Sequence, residues 1–237
     1  MITYYTDVVQ GSEEWHNLRM GVITASTISK FLTSTGKTAD NETSRRATYE
    51  IVSERVNGIA DETPLTYSMQ RGHEDEIIAR SVYSDFISPV QECGFITNDR
   101  HGVILGCSPD GIVGEDGGIE IKSRLHALQI KTIINREVPS EYMAQIQTCL
   151  LVTERKWWDF CSFPANGGGK MMVIRVYPDY EYFEKLLEAA KACEERATEI
   201  IKAYTDIIAN NPAIFFDAPR REPEPTDVVN ITGAENG

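Results

Sequence analysis

The strongest constraint on this chain is a run of short β-patterned segments set between stretches of helical periodicity. Cys93–Thr97, Val103–Cys107 and Ile119–Lys122 are short and separated by turn signals at Asn98-Asp99 and Gly117-Gly118. Upstream, Gly11–Arg19 predicts a short helix, and a hydroxyl at Thr24 or Ser26 is placed to cap a helix carrying Ile28, Phe31 and Leu32. Thr33–Asn41 is polar and turn-rich, the pattern of a mobile loop. Ala47, Ile51, Val52, Arg55 and Val56 then keep helical period up to Gly58, a suitable glycine to end the helix. After a loop through Pro64, a helix over about Ser68–Phe86 is expected to bury Ile77, Ile78, Val82 and Phe86. Downstream, Glu141–Val152 returns to helical period. Trp157–Phe163 and Met171–Tyr177 read as a strand pair across Asn166-Gly167-Gly168-Gly169, and a long helix over about Tyr180–Ala209 follows. The order predicts an α/β (α+β) fold, with a small central mixed β-sheet flanked by helices.

The 237 residues suit one well-buried domain, expected over 1–210, with a Pro- and acid-rich flexible tail over 211–237. No run of eighteen apolar residues exists, which excludes a helical membrane span, and MITYYTDVVQ lacks the basic and apolar regions of a secretory signal. The 5 cysteines are scattered and form no C-x-x-C pair, which argues against a disulfide framework, a zinc knot or an iron–sulfur cluster and for a reducing cytoplasm. The formal net charge of −13 points away from nucleic acid. It does not exclude a nuclease, whose site needs clustered carboxylates and only local basic patches.

Chemistry concentrates in Cys107-Ser108-Pro109-Asp110-Gly111 and Ile119-Glu120-Ile121-Lys122. In a strand, Glu120 and Lys122 share one face roughly 6–7 Å apart, while Ile119 and Ile121 face a packed helix. Asp110, at a strand end, can converge with Glu120 on a divalent ion. Oxygen ligands without thiolates suit Mg²⁺, or Mn²⁺ in its place, rather than zinc. Phosphodiester cleavage needs such an arrangement, with Lys122 stabilising charge in the transition state rather than accepting a proton. The same trio also fits a solvated hairpin, since Pro-Asp turns and Glu-x-Lys strands are common.

Other polar residues add to the pattern. Glu74, in Arg71-Gly72-His73-Glu74-Asp75-Glu76, offers a further carboxylate, though acids favour a first helical turn in any case. His73 reads as a surface or capping residue. Tyr142 and Gln145 lie one turn apart on a helix, where Gln145 suits a water or a phosphate and equally suits a boundary residue at the edge of the apolar face. Arg19, Gly21, Thr24 and Ser26 together make a phosphate pocket of guanidinium, backbone N–H groups and hydroxyls. A surface salt bridge with ordinary capping fits Arg19 as well.

Three segments in order resemble the phage lambda exonuclease family, that is, YqaJ-like viral recombinases of the PD-(D/E)xK nuclease superfamily. They are Trp15-His16-Asn17-Leu18-Arg19-Met20-Gly21-Val22-Ile23-Thr24-Ala25-Ser26, then Ser108-Pro109-Asp110-Gly111 with Glu120-Ile121-Lys122, then Tyr142-Met143-Ala144-Gln145-Ile146-Gln147 with Val152-Thr153. The resemblance implies a restriction-endonuclease-like core and a metal-dependent 5′→3′ exonuclease. Such an enzyme digests one strand of linear double-stranded DNA and leaves 3′ overhangs for phage recombination. It implies two metal ions held by Asp110, Glu120, the Ile121 carbonyl and Glu74, with Lys122 as the catalytic lysine and Gln145 lining the site. Arg19, Ser26 and Ser108 match the 5′-phosphate pocket. The family resemblance also implies a homotrimeric ring, a single-strand annealing protein as partner, and a phage or prophage protein in the bacterial cytoplasm. A ring reconciles an acidic exterior with a basic channel, for which Arg45, Arg46 and Lys37 are candidates. The chain departs from the family at Arg124, which is near the position of a further pocket arginine but out of register. An endonuclease could use the same Asp110, Glu120 and Lys122, and an acidic non-catalytic recombination protein would need neither Glu120 nor Lys122.

Overall fold

The computed structural model describes residues 1–60 and 66–219, and two compact units emerge, Met1–Ile201 and Lys202–Gly237. The expected loop at Pro64 and, beyond Pro219, the expected flexible tail lie outside the described residues. The division falls within the last helix.

The first unit is mixed α/β, as expected, but its strands form two four-stranded sheets rather than one. In one, the order is β1 (Ile2–Tyr5), β3 (Phe95–Asn98), β4 (Leu105–Cys107) and β2 (Ile23–Thr24), with β2 parallel to β4 and the other pairs antiparallel. In the other, the order is β5 (Gly111–Val113), β6 (Gly117–Arg124), β7 (Trp157–Pro164) and β8 (Met172–Val176), with β6 parallel to β7. The chain passes from the first sheet to the second through Ser108-Pro109-Asp110, between β4 and β5. Gly111 fits there because a Cβ would lie 2.1 Å from a Val90 methyl.

The parallel β6–β7 pair requires a crossover, supplied by α4 (His126–Asn135) and α5 (Ser140–Thr153). The remaining helices are α1 (Glu13–Arg19), α2 (Glu42–Asn57), α3 (Tyr67–Phe86) and α6 (Tyr180–Asn210). A capping box between Asn41 and Ser44 starts α2, and Gly58, at φ 62°, ends it as the sequence predicts. The helix expected after Ser26 is a single 3-10 turn, Ile28–Phe31, preceded by Thr27 without a side-chain cap. Thr33–Asn41 folds back on itself, with Leu32 bridged to Thr38 and the Thr33 N–H donating to the Lys37 carbonyl at 2.8 Å.

The core lies between the sheets and α5, with Phe31, Ile96, Leu105, Ile146, Leu150, Trp158 and Phe160 fully buried. Leu186, Ala189, Ala190 and Cys193 of α6 join it. The stripe expected on α3 is not its buried face: Ile77, Ile78 and Phe86 are exposed, and Asp75, Ala79 and Tyr83 are buried instead. Asp75 accepts hydrogen bonds from the Asn166 N–H and from the Ser123 hydroxyl, and Tyr83 donates to Asp159 at 2.6 Å. Buried polar pairs therefore dock α3 against β6 and β7, with Ala79 packed between them.

Candidate active site

Strand alternation places Glu120, Lys122 and Arg124 on one face of β6, beneath α5, and Ile119, Ile121 and Ser123 on the face that meets α3. Lys122 Nζ lies 2.6 Å from Glu120 Oε1, and the Tyr142 ring sits 5.4 Å from Lys122 and 5.3 Å from Arg124. Asp110 closes the other side, where its Oδ2 accepts the Ile121 N–H at 2.5 Å.

Burial and mutual repulsion push the Asp110 carboxyl well above its ordinary range, and burial raises Glu120 despite the opposing pull of Lys122. Burial on its own would lower Lys122, but the Glu120 and Asp110 carboxylates outweigh it and hold the ammonium above its ordinary value. Lys122 is thus a fixed cation. Glu120 Oε2 is buried and accepts no hydrogen bond. An unsatisfied carboxylate oxygen beside a second buried carboxylate fits a hard divalent cation. Among the described residues no group of three or more His, Cys, Asp or Glu side chains is placed to hold a metal ion, so Asp110 and Glu120 form an open pair. Mg²⁺ fits this open set, because it is commonly held by one or two carboxylates and keeps several waters.

The carboxylate that α3 brings beside Asp110 is Glu76, not Glu74. Glu74 is exposed and accepts a hydrogen bond from Gln70. Glu76 is half-buried, borders with Asp110 a cleft of about 430 Å³, and lies close enough to raise both Asp110 and Glu120. Two residues of helix rotate a side chain by roughly 200°, so Glu74 and Glu76 leave α3 on nearly opposite sides. Periodicity anchored on the buried Ala79 and Tyr83 would have selected Glu76.

On the other side of the Ser108–Asp110 turn, Arg19, Ser26 and Ser108 come together. Arg19 donates to the Ser108 hydroxyl at 2.9 Å and to the Ser26 hydroxyl at 3.3 Å, and its guanidinium lies 4.3 Å from the Trp15 ring centre. Trp15 Nε1 also donates to Ser108 Oγ, at 2.9 Å. Among the described residues no carboxylate forms an ion pair with Arg19, and burial lowers its proton affinity despite the opposing pull of Glu54. Gly21, at φ +69°, turns the chain after α1, its N–H bonded to Glu54 and its carbonyl to Arg55, which fixes the pocket against α2.

Gln145 is half-buried on the face of α5 that carries Tyr142 and Cys149. Gln147 points away, tied to the Tyr177 carbonyl and the Asp179 N–H. Arg124 is buried, with Nη1 bonded to Tyr142 and Glu141 and Nε without a partner. His73 and Lys37 are exposed, and the exposed Arg45 and Arg46 pair with Asp40 and Glu50. All five cysteines are buried and free, and no described helix is long and apolar enough to cross a membrane.

The fold is shared with known nucleases. An alkaline exonuclease from Laribacter hongkongensis, LHK-Exo, superposes with a TM-score of 0.75 at 27% identity, over 84% of this chain and 99% of that one. Its complex with dAMP matches at 28% identity with the same coverage. A phage-related exonuclease from Haemophilus somnus 129PT shares the fold at 16% identity and a TM-score of 0.55, over 79% of this chain and 98% of that one. Among curated proteins no match is found. The pattern of the YqaJ-like viral recombinase domain fits residues 14–156, a span that holds Arg19, Ser108, Asp110, Glu120, Lys122 and Gln145. The Arg19 pocket and the Asp110, Glu120 and Lys122 cluster both lie within one homologous segment, and the chain belongs to the YqaJ-like viral recombinase family.

Proposed function

We propose that this protein is a metal-dependent exonuclease that removes one strand of linear double-stranded DNA 5′→3′ and leaves 3′ overhangs for recombination by strand annealing. The observation that carries this reading is the shared turn. Ser108, in an anion pocket, and Asp110, in a carboxylate cluster, are separated only by Pro109. A 5′-terminal phosphate held by Arg19, Ser26 and Ser108 would present the adjoining phosphodiester to Asp110, Glu120 and Lys122. End recognition and hydrolysis would then be one geometric event. The related LHK-Exo is an alkaline exonuclease and has been crystallised with dAMP, a nucleoside monophosphate.

Arg19 binds the terminal phosphate through its planar fork, with the Ser26 and Ser108 hydroxyls supplying further donors. The Lys122 ammonium, kept charged by Glu120 and Asp110, stabilises negative charge growing on the scissile phosphate. Gln145 lines the site from α5. Asp110, Glu120, the Ile121 carbonyl and, in place of Glu74, Glu76 would hold two Mg²⁺ ions, or Mn²⁺, which supply Lewis acidity and a more acidic water when bound. The reading includes a homotrimeric ring around DNA, since a chain of net charge −13 gains little retention from its overall field. It also includes a single-strand annealing protein as partner and a place in the cytoplasm of a phage-bearing bacterium.

Linear duplexes with 5′-phosphate or 5′-hydroxyl ends, and covalently closed circles, incubated with Mg²⁺ and either wild type or Lys122→Ala, test this reading. The expected result is loss of one strand from linear DNA only, faster with the 5′-phosphate, and at least about 100-fold slower in the variant. Cutting of closed circles would make the protein an endonuclease, and no metal-dependent cleavage would make it a binding protein.

A further inference from the structure

We infer that Arg80 is the positioning residue of the carboxylate cluster, a role that rests on the metal-dependent reading above. Arg80 sits on α3 one turn after Glu76, and each of its three guanidinium nitrogens has a partner. Nε donates to the Asp110 carbonyl at 2.8 Å, Nη2 donates to Glu76 Oε1, and Nη1 lies 2.6 Å from Glu92 Oε1. The side chain is mostly buried, as is that of Glu76, whereas Glu92 is 79% exposed. Arg80 therefore joins the helix that carries one carboxylate to the backbone of the residue that carries another.

Three features make this a device for the site rather than a general staple. The backbone of Asp110 belongs to no helix or strand, because it lies in the turn between the two sheets, and only its side chain reaches β6. Its carbonyl is held by Arg80, while the preceding Pro109 carbonyl is held by Gln10 Nε2 at 2.8 Å. Next, Glu76 approaches two carboxylates that already repel each other, so a cation bound to one of its oxygens keeps it in the cleft. That bond uses Oε1, and no hydrogen bond engages Oε2 among the described residues. Finally, the planar fork supplies three directions at once, which an ammonium cannot reproduce. Asp75 and Tyr83 dock α3 through contacts that do not involve Arg80.

The test is Arg80→Lys, which keeps the charge and loses the fork. Mn²⁺ binding, measured by calorimetry on the whole chain without DNA, should weaken about tenfold or more. The Mg²⁺ concentration for half-maximal cleavage should rise by a similar factor, with the thermal midpoint of the metal-free protein unchanged. Adding Glu76→Gln should show the two substitutions to be less than additive in Mn²⁺ affinity, because Arg80 acts partly through Glu76. Wild-type Mn²⁺ affinity in Arg80→Lys, or fully additive losses, would overturn the inference. Failure of the wild type itself to bind Mn²⁺ or to need a metal for cleavage would instead overturn the functional reading on which it rests.

Discussion

On the proposed function, Glu120 sets function against stability in a single side chain. It is 1% exposed, with one oxygen bonded to Lys122 and the other to nothing. A buried carboxylate with an open oxygen destabilises the metal-free fold, and Lys122 offsets only part of that cost. Glu120→Gln should therefore raise the thermal midpoint of the metal-free protein by about 2–4 °C, on the order of 1 kcal/mol for a chain of this size. Cleavage should be lost at the same time. Mg²⁺ should stabilise the wild type and leave the variant unmoved, because binding to the folded state is what raises the midpoint. Scanning calorimetry with and without Mg²⁺ checks each point. A drop in the metal-free midpoint would mean that the Lys122 ion pair outweighs the burial of charge. The pairing of Asp110, Glu120 and Lys122 was legible in the sequence, because strand alternation and a turn define it over few residues. The grouping of Arg19 with Ser26 was legible too, whereas Ser108 joined them only through the family resemblance. Arg80 was not legible, since its three partners lie 4, 12 and 30 residues away and only the fold assembles them.

Among the elements, those that sequence reading placed worst are docked by hydrogen bonds. Hydrophobic periodicity assigns α3 a face of Ile77, Ile78 and Phe86, yet the helix is held through Asp75, Ala79 and Tyr83. α4 escaped notice for the same reason: it exposes Ile130 and Ile134 and buries Gln129, which is bonded to Ser162 and to the Lys170 carbonyl. Polar anchors carry no apolar signal, so period alone points to the wrong side. By contrast α2, docked through Ala47 and Ile51, was placed on its correct face. The anchor at Tyr83 yields a prediction. Its hydroxyl donates to Asp159, which is also gripped by Arg175 Nε and Nη2 at 2.8 and 2.9 Å, with Arg175 stacked 3.6 Å from the Trp157 ring centre. Tyr83→Phe should cost about 1.5–3 kcal/mol near neutrality, the range for a hydrogen bond to a charged group. Burial and Asp159 hold the Tyr83 proton well above its ordinary value. Above pH about 10 an unfolded tyrosine loses a proton that the folded one keeps, so this contribution shrinks as pH rises. Urea titrations of both proteins at neutral and strongly alkaline pH should show the deficit narrowing, and a constant deficit would remove Tyr83 from the account of alkaline stability.

For the whole molecule, the question is how a chain of net charge −13 stays on a polyanion. The surface arginines considered for a channel, Arg45 and Arg46, are neutralised by Asp40 and Glu50, so a single chain has few free cations there to spend on phosphates. Electrostatic retention would in any case be fragile. A protein held by 6–10 phosphate contacts loses about 10³–10⁵ in affinity between 50 and 200 mM salt. A closed ring escapes that limit, because the duplex leaves only from an end or by opening the ring. Two measurements follow from the proposed trimer. Light scattering should give three times the 26.6 kDa chain mass at micromolar concentration. The number of nucleotides removed per binding event, counted with an excess of competitor DNA, should change by less than about twofold between 50 and 200 mM NaCl, even as the rate of loading changes. A monomer whose processivity collapses with salt would return retention to local charge, and would leave the Arg19 pocket as the main hold on the DNA end.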